Sequence, residues 1–290
     1  MKKIVVMLFS FCLLLSTLAG CGTAKEYAQV AATTLPVYEF TQALCEGTGI
    51  TVTRLVTESV SCLHDYSLNV RQVKAAEAAE VIVISGAGME EFMEDLLQNK
   101  PVIDASLGIE LLCGSEEHEH EGHSHEQDPH IWLSPLCAMD MAANICEGLS
   151  QQYPEFADTF EDNEALLRQR LLALYTYGEE QLRDLSCREL ITFHDGFGYL
   201  ADAYGLHIVE AIEEESGSEA SAKELIHMVE LVREHSLNAI FTEANGSVSA
   251  ADVISRETGV AVYALDMAIS GNGYFSSMYH NIDTLKEALQ

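Results

Sequence analysis

The chain has 290 residues, of which 48% are apolar and 21% charged, a composition typical of a globular protein and unlike that of a disordered or fibrous one. Its 46 acidic residues outnumber its 15 basic residues, so the formal net charge is −31. This charge argues against nucleic acid and anionic lipid headgroups as electrostatic partners, because both are themselves negative.

The N-terminus is typical of a secretory signal. Lys2 and Lys3 precede an apolar run of about fifteen residues, which is too short for a dependable membrane span. The run ends in Leu-Ala-Gly-Cys at residues 18–21, a pattern that resembles a bacterial lipobox, in which Cys21 is lipidated and becomes the new N-terminus. We therefore expect a signal peptide at residues 1–20 and an extracytoplasmic chain held to the membrane by lipid on Cys21. An uncleaved N-terminal anchor is the alternative.

Short apolar runs alternate with helical patterns through the first half of the chain. The run Val81–Ser85 is apolar and β-branched, as expected for a buried strand of a parallel sheet. By the same reasoning, strands are predicted at Gln29–Thr33, Ile50–Val56, Val81–Ser85 and Pro101–Ala105, and helices at Val70–Ala79, Gly88–Leu97 and Ala138–Gln152, with a further helix beginning at Pro36.

One long helical pattern, Pro154–Leu185, separates this half from a second alternating half. Thirty-two helical residues would form a rod of roughly 48 Å, long enough to join two lobes. Beyond it, strands are predicted at Glu189–Phe193, His207–Ala211, Ala239–Thr242 and Val260–Leu265, and helices at Gly198–Tyr204, Ser221–His235, Ala250–Thr258 and Tyr274–Leu289.

This layout predicts an α/β protein of two Rossmann-like lobes with mostly parallel sheets joined by one long linking helix. The expected divisions are a first lobe at residues 21–150 with a His-rich loop at 114–128, the linking helix at 151–185, and a second lobe at 186–290. Six cysteines follow Cys21 without any CxxC spacing, so their pairing stays open: Cys45, Cys62, Cys113, Cys137, Cys146 and Cys187.

Histidines and one carboxylate fall where predicted strands end. His194 follows the strand at 189–193, Asp266 follows the strand at 260–265, and His64 and His130 have similar positions in the first half. Ligands of open α/β sheets bind just outside the carboxyl ends of strands. Three imidazoles and one carboxylate facing a cleft would make a tetrahedral site that suits Zn²⁺.

Several motifs along the mature chain together resemble the metal-binding lipoproteins of zinc and manganese ABC importers, the ZnuA/TroA-like (cluster A-I) solute-binding proteins. They are Leu-His-Asp-Tyr at 63–66, Ser-Gly-Ala-Gly-Met-Glu at 85–90, Asp-Pro-His-Ile-Trp-Leu-Ser-Pro at 128–135, Phe-His-Asp-Gly-Phe-Gly-Tyr at 193–199 and Leu-Asp-Met at 265–267. The chain departs from the family pattern at Ser67–Val70 and Met267–Gly271.

The resemblance implies the ligand set and the function. The family's ligands map onto His64, His130, His194 and Asp266, and a histidine at the third position usually accompanies zinc, whereas an acid there accompanies manganese. The resemblance therefore implies a monomeric extracytoplasmic protein that binds Zn(II) with high affinity and delivers it to an ABC permease in the membrane. Four protein ligands leave no open position for a substrate, so we expect no catalysis.

Two further features bear on metal chemistry. Glu243 ends a predicted strand, where it could accept a hydrogen bond from the far nitrogen of a ligand histidine or be an ordinary carboxylate at the cleft edge. The segment 116–126 contains four histidines in eight residues, His118, His120, His123 and His125. Such a loop could capture zinc weakly or could be a solvated insert that merely tolerates histidine.

Three other functions compete with zinc import. The cargo could be manganese, or the chain could scavenge zinc or act as an adhesin at the cell surface without a dedicated permease. A metal-dependent hydrolase is disfavoured: the His-Asp pairs at 64–65 and 194–195 superficially resemble HD-type phosphohydrolases, but those are all-helical, and here both pairs follow β-rich runs.

Overall fold

The computed structural model describes residues 27–58, 63, 66–113, 127–212, 220–271 and 273–290. Its strands are β1 (Val30–Ala32), β2 (Val52–Arg54), β3 (Val81–Ile84), β4 (Val102–Asp104), β5 (Glu189–Thr192), β6 (His207–Ala211), β7 (Ala239–Glu243) and β8 (Ala261–Leu265). Its helices are α1 (Leu35–Leu44), α2 (Val70–Ala78), α3 (Glu94–Leu97), α4 (Pro135–Gln152), α5 (Ala157–Gln181), α6 (Gly198–Ala203), α7 (Ala222–Glu234), α8 (Ser249–Thr258) and α9 (Tyr274–Leu289).

Each half of the chain builds one parallel four-stranded sheet. The strand order is β2-β1-β3-β4 in the first sheet and β6-β5-β7-β8 in the second, and every pairing is parallel. All strands of a sheet therefore end at the same edge, where ligands bind in open α/β folds. The predicted fold of two α/β lobes is confirmed.

Local sequence signals explain where several helices begin. Asn69 and Gln72 form a capping box at the start of α2, and Ser221 and Glu224 form another at the start of α7. Ser134 accepts a hydrogen bond from the Cys137 amide at the start of α4, where Pro135 occupies the first helical position. These signals fix the residues at which the three helices begin.

The linking helix is α5, which begins later and ends earlier than predicted. Tyr153 leaves helical geometry, and residues 154–156 form a 3₁₀ turn before the helix. At the other end, the Arg188 guanidinium donates to the carbonyls of Leu182 and Arg183, so the chain turns away at Leu182. The 25 helical residues span about 38 Å, still enough to join two lobes.

A second difference falls in the first lobe. The segment Gly88–Leu97 is not one helix but a 3₁₀ turn at residues 91–93 followed by the short helix α3. Gly86, Ala87 and Gly88 all have positive φ angles, so the chain makes a turn before any helix can begin.

One hydrophobic core runs through both lobes. It includes Phe40 of α1, Phe160 of the linking helix and Tyr274 of α9, all fully buried. Trp132 donates through Nε1 to the Met267 carbonyl oxygen over 2.8 Å, and Tyr274 Oη donates to the Trp132 carbonyl oxygen over 2.8 Å. The lobes therefore share buried hydrogen bonds as well as apolar contacts, which favours small relative motions over a wide hinge.

The described cysteines are free thiols: Cys45, Cys113, Cys137, Cys146 and Cys187. Cys45 and Cys146 are buried, and burial raises the pKa of both thiols, so they behave as small apolar side chains. Among the helices within the described ranges, none is long and apolar enough to cross a membrane. The predicted signal peptide, Cys21 and Cys62 lie outside the described residues.

Candidate metal centre

His130 is held by the acidic residue two positions before it. Its Nδ1 lies 2.8 Å from Asp128 Oδ1, and its main-chain N–H donates to the same oxygen over 2.9 Å. His130 is 2% exposed, and its ring lies edge-on to that of Trp132. Because Asp128 binds both the amide and the ring, the position and the rotation of the imidazole are both set.

The loop that carries His130 is tied to the second lobe by Tyr199 of α6. Tyr199 Oη donates to the Asp128 carbonyl oxygen over 3.0 Å and accepts from the Leu112 amide over 2.9 Å. Burial raises the pKa of Tyr199 to about 12, so its hydroxyl stays protonated and can donate at any physiological pH. One phenol therefore fixes Leu112 and Asp128, the residues on either side of the His-rich segment.

His194 comes from the carboxyl end of β5 and is held in a similar way. Its Nδ1 lies 3.0 Å from Oε1 of Glu243, which ends the neighbouring strand β7. Glu243 is 7% exposed, and Thr192 Oγ1 donates to the His194 carbonyl oxygen. A buried carboxylate thus faces the far nitrogen of each ring, His130 through Asp128 and His194 through Glu243.

These partners determine which nitrogen of each ring carries the proton. A carboxylate only accepts hydrogen bonds, so Nδ1 carries the proton and Nε2 keeps its lone pair. The two Nε2 atoms, of His130 and His194, lie 3.5 Å apart, and the ring planes are 83° apart. Two ligand nitrogens at 2.0–2.1 Å from a tetrahedral Zn²⁺ would lie about 3.3–3.4 Å from each other. The pair is therefore spaced for one metal ion.

Gly196 makes room for the two rings. A Cβ at this position would lie 2.6 Å from His194 Cδ2, 2.7 Å from Met267 Cε and 2.9 Å from His130 Nδ1. All three distances are shorter than ordinary contacts between carbon and its neighbours, so only glycine fits without displacing a ring. The motif at 193–199 contains this glycine, but its steric role depends on His130, which is distant in sequence.

Asp266 lies at the end of β8, at the edge of the sheet that also carries His194 and Glu243. Its Oδ1 accepts from the Ala268 amide and its Oδ2 accepts from Ser277 Oγ, each over 2.8 Å. Across the part of the chain that the structure describes, no three His, Cys, Asp or Glu side chains form a group that could hold a metal ion. The structure thus brings His130 and His194 together, and it places Asp266 after β8, the neighbour of the strand that ends at Glu243.

The other predicted site residues lie outside the described residues: His64, Cys21, and the loop histidines His118, His120, His123 and His125.

The comparisons with known proteins identify the family of the chain. Residues 30–288 match the ZnuA family, described as zinc-uptake complex component A, periplasmic. The high-affinity zinc uptake system protein ZnuA of Bacillus subtilis is 30% identical over 94% of this chain and 91% of its own length. The zinc-binding lipoprotein AdcA of Streptococcus pneumoniae is 33% identical over 99% of this chain, which spans only 61% of that relative.

Solved structures give the same result. The crystal structure of the Zn(II)-bound ZnuA-like domain of S. pneumoniae AdcA is similar to this chain with a TM-score of 0.75 and 30% identity, covering 91% of this chain and 99% of that domain. Two parallel α/β lobes on one long helix, with a histidine from each lobe paired at close range, define the class of bilobal metal-binding proteins. The chain belongs to the ZnuA family within that class, as its motifs indicated.

Proposed function

We propose that the chain is an extracytoplasmic zinc-binding protein that delivers Zn²⁺ to an ABC import permease. The observation that carries the proposal is the convergence of the His130 and His194 Nε2 atoms, 3.5 Å apart, with a carboxylate on the far nitrogen of each ring. Imidazole nitrogens prefer zinc to manganese, which favours oxygen ligands. A buried carboxylate behind each imidazole also raises its basicity as a ligand.

In this proposal the cleft holds one zinc ion through His64, His130, His194 and Asp266. Three nitrogens and one oxygen complete a tetrahedral shell, so the bound metal has no open position for a substrate or an activated water. Zinc is therefore cargo, and the chain has no catalytic role. The names of the relatives, which describe zinc binding and zinc uptake, support this view.

The proposal also covers location and partners. Lipid on Cys21 would keep the protein next to the permease, and the protein would act as a monomer because one chain supplies all four ligands. The histidines of the loop at 114–128 would gather zinc weakly without forming the tight site. The permease is the partner expected for a component of a zinc-uptake complex.

Competition titrations against a chelator of known affinity test this function. We expect one tight Zn²⁺ per chain, a much weaker Mn²⁺ complex, and loss of tight zinc binding in the His130→Ala and His194→Ala variants. A control variant with the four loop histidines replaced by serine should keep the tight site. If tight binding disappears with the loop histidines instead, the protein is a surface scavenger. If Mn²⁺ binds more tightly than zinc, the cargo is manganese.

A further inference from the structure

A short segment of the second lobe, residues 194–199, begins with His194 and ends with Tyr199 of α6. Tyr199 is 3% exposed, and its ring belongs to the hydrophobic core that both lobes share, so the position of its hydroxyl is set by packing. The same helix packs against the 3₁₀ turn at 131–133, which directly follows His130. The segment that supplies one histidine of the pair therefore lies beside the loop that supplies the other.

The Tyr199 hydroxyl binds the main chain of that loop. Its Oη donates to the Asp128 carbonyl oxygen over 3.0 Å and accepts from the Leu112 amide over 2.9 Å. Leu112 and Asp128 are also paired directly, because the Asp128 amide donates to the Leu112 carbonyl oxygen over 2.9 Å. A phenol can donate and accept at once, so one side chain of the second lobe joins both members of this pair. Phenylalanine would fill the same space but make neither bond.

Asp128 transmits this restraint to His130. Its Oδ1 accepts from the His130 amide over 2.9 Å and lies 2.8 Å from His130 Nδ1, and Asp128 is itself buried. A continuous set of contacts therefore runs from Tyr199 through Asp128 to the His130 imidazole. It begins five residues after His194, whose Nε2 lies 3.5 Å from that of His130.

We propose that Tyr199 is a positioning residue for zinc, which holds Asp128 and thereby keeps the His130 imidazole at its distance from His194. The proposal rests on the zinc-binding function proposed above. A good metal site keeps its metal–ligand distances within about 0.2 Å of ideal values, and these two histidines come from different lobes. A hydrogen bond that joins the lobes next to the pair therefore contributes to zinc affinity.

The test compares Tyr199→Phe with Tyr204→Phe, since each change removes one hydroxyl and leaves the ring in place. Tyr204 is the matched control: it directly follows α6, it is 5% exposed, and its Oη has no hydrogen-bond partner within the described ranges. Two quantities are measured for each purified variant: the zinc dissociation constant by chelator competition, and the midpoint of thermal unfolding without metal.

We expect Tyr199→Phe to bind zinc about 3- to 10-fold more weakly, which is the factor that corresponds to one hydrogen bond of ordinary net strength. Tyr204→Phe should bind zinc as tightly as the unmodified protein. Both variants should show a cooperative unfolding transition, because phenylalanine keeps the packing of the tyrosine ring.

A double-mutant cycle with Asp128→Ala supplies a readout that a merely structural role would not move. Asp128→Ala removes both bonds to His130 but keeps the main-chain carbonyl that Tyr199 binds, so the set of contacts is cut at its last step. In this background, Tyr199→Phe should weaken zinc binding by less than about 2-fold. A structural role for Tyr199 that does not pass through Asp128 would instead cost the same factor in both backgrounds.

The proposal is overturned if Tyr199→Phe leaves zinc affinity unchanged or raises it, if Tyr204→Phe weakens it equally, or if the losses in Tyr199→Phe and Asp128→Ala simply multiply in the double variant. These outcomes are separate from failure of the proposed function, in which His130→Ala and His194→Ala would leave tight zinc binding intact.

Discussion

Gly196→Ala should weaken zinc binding without a large effect on the fold. The added Cβ would lie 2.6 Å from His194 Cδ2 and 2.9 Å from His130 Nδ1. Ordinary contacts between such atoms are about 3.5–4.0 Å, so the rings or the main chain must move by about 1 Å. Gly196 does not have a positive φ angle, so alanine adds no backbone strain and the effect is steric.

The expected loss of zinc affinity follows from how little the metal–ligand distances can vary. Metal–ligand distances in a good site stay within about 0.2 Å of their ideal values, so a shift of about 1 Å cannot be absorbed by the metal alone. Disturbing groups that orient a metal-bound histidine typically costs about 10- to 100-fold in affinity. We expect a loss in this range, which corresponds to about 1.4–2.8 kcal/mol.

Chelator competition measures this loss, and thermal unfolding of the metal-free protein checks the fold. Gly198→Ala is a suitable control, because its Cβ would meet Asp128 Oδ2 at 3.0 Å but neither histidine ring. It should cost far less affinity than Gly196→Ala. Unchanged zinc affinity in Gly196→Ala would refute the view that the two rings occupy one closely packed site.

Three further predictions concern the rest of the chain. Burial raises the pKa of Glu90 from 4.5 to about 7, so the folded protein binds an extra proton between these values and this group lowers the unfolding free energy by about 3 kcal/mol as pH rises through them. Urea unfolding of Glu90→Gln at pH 5 and pH 8 should show this pH dependence removed. Trp132 is the chain's single tryptophan and its ring centroid lies 5.4 Å from that of His130, so zinc should change the intrinsic fluorescence, and Trp132→Phe should abolish that signal. Arg188 donates to four main-chain carbonyls at the ends of the linking helix and α6, so Arg188→Met should lower the unfolding free energy by about 1–2 kcal/mol in urea titrations.

Each of these three predictions would be contradicted by a specific result. Equal pH dependence in Glu90→Gln and the unmodified protein would mean that Glu90 does not change its protonation between pH 4.5 and 7. Fluorescence that ignores bound zinc would place the metal away from Trp132. For Arg188, the conservative change to lysine should restore part of the stability, and an Arg188→Met variant as stable as the unmodified protein would show that these carbonyls need no partner.

Much of the fold could be predicted from local sequence. The run at residues 81–84 is buried and β-branched and forms a strand, and α9 spans the residues predicted for it, because its apolar positions keep helical spacing. The element bounds near residue 88 could not be predicted so well. Three consecutive positive φ angles at 86–88 arise from packing of the loop, where Gly86 lies tightly against Asp104, a residue from another strand.

The candidate site was likewise predicted only in part. His130 and His194 were predicted as ligands from their positions at predicted strand ends and in motifs. The structure places His194 just after β5, but His130 lies in the loop before the 3₁₀ turn at residues 131–133 and follows no strand, so its expected strand-end position is wrong. Of the contacts that set their geometry, the one between Glu243 and a ligand histidine was predicted, and the structure has it at His194; the others were not predicted. Gly196 matters because of a ring 66 positions earlier in the chain, and Ser277 reaches Asp266 because α9 packs against β8. Periodicity in sequence carries no information about such pairings.

The most direct test of the central claim is a crystal structure of the zinc-loaded protein with anomalous diffraction at the zinc edge. The account predicts one strong zinc peak per chain, with Nε2 of His130 and Nε2 of His194 both about 2.0–2.1 Å from it. An oxygen of the Asp266 carboxylate should also coordinate the zinc. A zinc ion bound by the loop histidines alone, with nothing between His130 and His194, would contradict the account.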